Sequence, residues 1–217
     1  MIAIPAVRIE PSAIDRLLKP VHRWIWLDAH RRARKLLRFA ETEADGGRDL
    51  SRAAELTGDP LLRRLFLRHA QDESRHADLF RARGRALLSG MPRRAAGLDA
   101  NWIAPGERGL DDLDISVQRE GTLLAFLHLS EKAAAGRFTL YGDVLDGDPA
   151  TRAVFERVLE DEAFHMTYTR KQLARLSPRK QGLELWKARA ARVWKAYLRL
   201  AMALASAIGF LVLTLQY

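Results

Sequence analysis

The chain predicts an all-α fold: a four-helix bundle built from two helix pairs joined by a long crossover, with a further C-terminal helix that turns from basic to apolar. Three observations carry this expectation. Gly58-Asp59-Pro60 and Gly147-Asp148-Pro149 each restart a helix, and the stretch behind them is duplicated: Arg63 matches Arg152, Phe66 matches Phe155, Arg68 matches Arg157 and Asp72 matches Asp161. The first copy runs into Glu73-Ser-Arg-His76 and the second into Glu162-Ala-Phe-His165. Between the copies, residues 92–118 carry Pro, Gly, Asn and an acidic cluster with little periodicity, as expected of a long connection.

Residues 1–20 read as an N-terminal arm holding a short helix, with Ser12 and Asp15 as a capping box and Pro20 ending or restarting the helix. Residues 21–178 form the expected bundle. Its first helix runs from Val21 to about Leu56, with Leu36, Phe39, Ala40, Gly47, Leu50 and Ala54 on one stripe and Arg31, Arg32, Arg34, Lys35 and Arg38 on the solvated side. Trp24 and Trp26 fall outside that stripe, and core packing is their expected role. At Thr57-Gly58-Asp59-Pro60, Gly ends one helix, Asp caps the next and Pro takes its first turn. The second helix then extends to about Ser89, the third spans about Val117–Leu145, and the fourth runs from the second Gly-Asp-Pro to about Leu176. Residues 179–217 form the terminal helix.

At 217 residues and 48% hydrophobic, the chain can bury one full core. It has no Cys, which excludes disulfides, thiolate sites and iron–sulfur clusters. A transition metal here must take oxygen and imidazole ligands, which suit iron and manganese. The net charge of +9 is localised. Arg170, Lys171, Arg175, Arg179, Lys180, Lys187, Arg189, Arg192, Lys195 and Arg199, opposed by Glu184, hold the whole excess. The uncharged run Leu200 to Gln216 follows, near the lower length limit for a bilayer span, with Trp194, Tyr197 and Tyr217 as interfacial aromatics. The expectation is a tail that spans or lies on a membrane, with the folded part on the cytoplasmic face, and no nucleic-acid partner. MIAIPAVRIEPS has no signal-peptide pattern.

Glu and His at i and i+3 on a helix present a carboxylate and an imidazole to one point. A lone Glu-x-x-His is common, but two on duplicated helices imply two metal ions or one dinuclear site. Such a site in a bundle also needs one inward Glu from each of the other two helices. On the third helix that is Glu131, among Leu124, Leu127, Ala134, Ala135 and Phe138, where an unpaired charge is costly. On the first helix Glu43 sits among Leu36, Phe39, Ala40, Gly46, Gly47 and Leu50, whereas Glu41 lies among Arg34, Leu37, Arg38, Asp45 and Arg48. Glu43 is preferred. Glu41 stays open, because it aligns with Glu131 through Ala44/Ala134, Gly46/Gly136 and Leu50/Leu140.

The set Glu43, Glu73, His76, Glu131, Glu162 and His165 resembles the ligands of the ferritin-like di-iron carboxylate superfamily, over roughly residues 21–176. The Gly46-Gly47 pair departs from that pattern inside a ligand helix. The resemblance implies two iron ions (manganese suits the same ligands), with Glu73 and Glu162 bridging, Glu43 and His76 on one ion and Glu131 and His165 on the other. It implies reaction with O₂ or peroxide by an oxidoreductase or an iron- or peroxide-handling protein, membrane-associated through the tail and served by an electron donor. A homodimer is compatible with it. The lack of Cys excludes the rubrerythrin architecture with its cysteine-ligated rubredoxin iron.

Two alternatives stand beside it. Glu131-Lys-Ala-Ala-Ala-Gly-Arg137-Phe138 is similar to the tRNA-hydroxylase branch, and a membrane-tethered helical scaffold needs no site at all. Of the neighbouring residues, Asp72 and Asp161 are expected either to hydrogen-bond a histidine across the bundle or to lie on the surface. His69 is expected to be partly exposed or a partner of a ligand, His128 a packed core histidine, and Tyr141 and Tyr168 to lie near the ligand face with packing roles.

Overall fold

The computed structural model describes residues 9–90, 120–145 and 147–215, with side chains described as far as 198 and at 202. Among the described residues there are seven helices and no strand: α1 (Ala13–Leu17), α2 (Lys19–Leu27), α3 (Ala29–Leu56), α4 (Pro60–Ser89), α5 (Glu120–Val144), α6 (Pro149–Leu176) and α7 (Gln181–Leu215). The expected crossover over residues 92–118 lies outside the described residues.

Aspartates set the helix starts. The Asp59 carboxylate accepts from the Leu61 and Leu62 amides, and that of Asp148 accepts from the Thr151 amide, with Pro in the first turn each time. The two Gly-Asp-Pro turns differ in one respect. Gly147 has φ 78°, a left-handed conformation that favours glycine, and it is the only such residue among those described. The expected single helix from Val21 to Leu56 is instead two: Asp28 breaks it and caps α3 by accepting from the Arg31 amide. Pro20 lies in the first turn of α2, where its missing N–H is harmless.

α3 packs along α4 and α5 along α6, and the two pairs meet through α4 and α6. α2 lies against α3 and α5, and α7 against α5. Trp26 of α2 is buried among Phe39, Tyr141 and Phe155, while Trp24 is exposed under the Arg31 guanidinium. Two large apolar clusters fill the bundle, beside a small one of Ala33, Leu37 and Leu88. One contains Leu50, Leu62, Phe66, Leu124, Leu127 and Leu173; the other contains Leu36, Phe80, Phe138, Phe155 and Val158. Each of α3 to α6 contributes to both clusters, and on each helix the residues between the two contributions are Glu43, Glu73 with His76, Glu131, and Glu162 with His165. A polar layer is therefore held between two dry ones.

α7 puts Leu185 and Ala188 on the core and leaves Trp186, Val193, Trp194 and Tyr197 exposed. No helix among the described residues is long and apolar enough to cross a membrane; the expected apolar run, Leu200 to Gln216, lies outside the described side chains, Met202 apart.

Candidate metal centre

Four helices bring four glutamates and three histidines into the polar layer. His69, His76 and His165 have no exposed surface, Glu162 has 1%, Glu73 5% and Glu43 9%, and Glu131 is partly buried. Their donor atoms fall into two groups, His69, Glu73, Glu131 and His165, and Glu43, Glu73, His76 and Glu162, each with its atoms within 4.8 Å of one another. All six residues singled out from the sequence are present, and Glu73 belongs to both groups. Glu162 also faces both sides: its Oε1 is 3.9 Å from His76 Nδ1 and its Oε2 3.9 Å from His165 Nδ1. Of the two candidates on the first helix, Glu43 lies in the layer, whereas Glu41 faces Arg81 at 3.5 Å on the surface.

The sequence also allows the close approach of α3. A Cβ on Gly47 would lie 3.2 Å from the Ala70 carbonyl oxygen and 3.4 Å from Glu73 Cβ. The glycine that looked out of place in a ligand helix is what lets the α3 backbone come up against Glu73.

The histidines are oriented from behind by the duplicated aspartates. His76 Nε2 is 3.2 Å from Asp161 Oδ2, and His165 Nε2 is 3.2 Å from Asp72 Oδ2, each bond crossing between α4 and α6. Arg75 donates to both aspartates, at 2.6 and 2.9 Å. Burial pushes Asp72 up, but the hydrogen bonds from His165 and Arg75 outweigh it and hold the carboxyl at about 2. An ionised aspartate accepts the Nε2–H, which leaves the Nδ1 lone pair pointing into the layer.

No group among the described residues uses those lone pairs. His76 Nδ1, His165 Nδ1 and Glu162 Oε2 are buried without a hydrogen-bond partner. Buried polar atoms are nearly always paired, so three orphans facing one another need a reason. The Nδ1-to-carboxylate distances of 3.7 to 3.9 Å are too long for hydrogen bonds. They suit ligands of a common ion, which sit about 3 to 4 Å apart when each bond is about 2.1 Å. The donor set of carboxylate oxygen and imidazole nitrogen, without sulfur, fits iron or manganese.

The carboxylates repel one another in this buried layer. Burial, then the charge of Glu43, raises Glu73 well above the usual carboxylate range. Burial, then the charges of Glu131 and Glu43, does the same for Glu162. Burial lifts Glu131 to about 7 against a hydrogen bond from Glu162. Glu43 alone moves down: burial opposes this, but the adjacent Glu73 carboxyl and the His76 and His165 imidazoles outweigh it. The metal-free layer thus keeps protons that cations could replace.

The residue that sequence reasoning undervalued is His69. It is fully buried, its Nε2 lies 3.0 Å from Glu73 Oε1 and 3.6 Å from Glu131 Oε1, and its ring stacks on His165 at 3.6 Å. Its place one turn before Glu73 was the available signal. Tyr168 hydrogen-bonds to it, while Tyr141 lies away in the aromatic cluster around Trp26. His128 is the expected core histidine, bonded through Nδ1 to the Met166 carbonyl.

No family model matches the chain, and the comparisons with curated proteins and with solved structures return no similar protein.

Proposed function

We propose that this chain is a dinuclear carboxylate–histidine metalloprotein of the ferritin-like di-iron type, acting on O₂ or peroxide as an oxidoreductase or an iron- or peroxide-handling protein. The observation that carries the reading is the pair of orphaned Nδ1 atoms of His76 and His165, aimed at four carboxylates that the protein buries together. Two divalent cations would balance the four carboxylates and relieve a repulsion that the metal-free layer meets by holding protons.

Glu43 and His76 would hold one ion and Glu131 and His165 the other, with Glu73 and Glu162 shared. Paired iron supplies redox chemistry toward O₂ or peroxide. The protein's part is to keep the ligands in register through Asp72, Asp161 and Arg75, and to exclude water with the apolar clusters above and below. Without metal, the carboxyls with raised proton affinity, Glu131 among them, would hold protons that they release on taking up cations.

The exposed Trp186, Val193, Trp194 and Tyr197 beside Arg189 favour a tail that lies on an anionic membrane surface. The site reading is tested by loading the purified full chain with iron(II) without air, counting bound iron, and following O₂ uptake. Stoichiometric uptake that Glu73→Ala and Glu162→Ala abolish supports it. Equal iron content in those variants and the parent would overturn the ligand assignment.

A further inference from the structure

We propose that His69 is a third imidazole ligand of this centre, so that the two metal positions are unequal: one holds the nitrogens of His69 and His165, the other the nitrogen of His76. This rests on the dinuclear reading above and adds to it.

The argument starts from where the two ring nitrogens point. Nδ1 of His69 is 2.7 Å from the Tyr168 hydroxyl, which comes from α6, and Nε2 faces the layer. When Nδ1–H donates to the Tyr168 oxygen, the lone pair is on Nε2, where in the metal-free layer it accepts from a protonated Glu73 carboxyl on α4 at 3.0 Å, with Glu131 of α5 at 3.6 Å. A ligating histidine is normally fixed by a hydrogen bond from its other nitrogen. Asp161 and Asp72 do that for His76 and His165, and Tyr168 does it for His69.

A histidine that only supported Glu73 would need contact with that carboxylate alone. His69 instead stacks face to face on His165 and shares its donor group, within 4.8 Å of His165 and Glu131. Tyr168 is a positioning residue in this arrangement. Because nitrogen-rich sites favour later first-row ions, cobalt(II) should fill the His69 position first and more tightly.

The test uses cobalt(II) on the full chain, with calorimetry for the binding steps and paramagnetic proton NMR for exchangeable imidazole N–H signals. The native chain should take up two ions in two resolved steps and show three shifted N–H signals. His69→Gln should show two such signals and weaken the first step beyond the roughly 10- to 100-fold typical of losing an outer hydrogen bond. Tyr168→Phe should keep all three signals, speed solvent exchange of one, and stay within that 10- to 100-fold range. Two bound ions with only two N–H signals in the native chain would overturn the role of His69 and leave the dinuclear centre standing. No cobalt uptake by the native chain would overturn both. Should His69→Gln fail to fold, the native signal count decides by itself.

Discussion

His165 Nε2 lies 3.2 Å from Asp72 Oδ2, and the duplicated counterparts His76 and Asp161 are the same distance apart. The two bonds run in opposite directions between α4 and α6, and the Arg75 guanidinium joins their acceptors. The duplication thus builds a reciprocal clamp in which each copy holds the other's histidine. Asp72→Asn and Asp161→Asn keep the shape but remove the charge that fixes the tautomer. Each should lower metal affinity roughly 10- to 100-fold with the helical content unchanged, measured by competition with a chelator.

Glu73→Gln should abolish stoichiometric metal binding and leave the metal-free chain at least as stable as the parent, since it removes one of four crowded carboxyls. Phe66→Ala, in the apolar cluster, should behave in the opposite way and cost about 3 to 5 kcal/mol. Chemical denaturation of both metal-free variants separates the two kinds of residue.

The layer's carboxyls should contribute to stability with opposite pH dependence in the metal-free and metal-bound states. Without metal, burial raises the Glu131 pKa from 4.5 to about 7, and burial with the neighbouring carboxylate charges raises Glu73 and Glu162 well above the usual carboxylate range. The folded chain then binds more protons than the unfolded chain between those values, so this contribution is full below about pH 4.5 and is lost as pH rises through 7. With metal, the ligands must be deprotonated and stabilisation grows as pH rises. Thermal midpoints from about pH 5 to 7.5, with and without manganese(II), should diverge. Parallel curves would count against metal replacing protons in this layer.

Gly47→Ala places a Cβ 3.2 Å from the Ala70 carbonyl and 3.4 Å from Glu73 Cβ. Because backbone cannot swing away, α3 must shift from α4 beside Glu73. The variant should bind metal more weakly and should not show the gain of about 1 kcal/mol that Gly→Ala gives in an unhindered helix. Chelator competition and thermal unfolding read both effects.

Most of the helices and all of the six ligand candidates were legible because helical spacing and duplication are local signals. Glu-x-x-His needs only one turn to be read, and an inward Glu betrays itself by apolar neighbours. Asp28 was missed as a helix start because the apolar stripe runs past it, although an N-cap aspartate was in plain view. His69 was undervalued because spacing along α4 announces only its contact with Glu73, whereas Tyr168, Glu131 and His165 come from other helices. The tail's uncharged run was legible as apolar, and it lies outside the described side chains, Met202 apart.

The most direct measurement is the number of metal ions bound by the full-length chain, purified in detergent, stripped with chelator and titrated anaerobically with iron(II). Two ions per chain, reduced to none or one by Glu73→Ala and followed by O₂ uptake on admission of air, is the predicted result. A native, folded chain that binds no iron would contradict the account at its centre, leaving the buried glutamates and histidines as a polar layer of a helical scaffold.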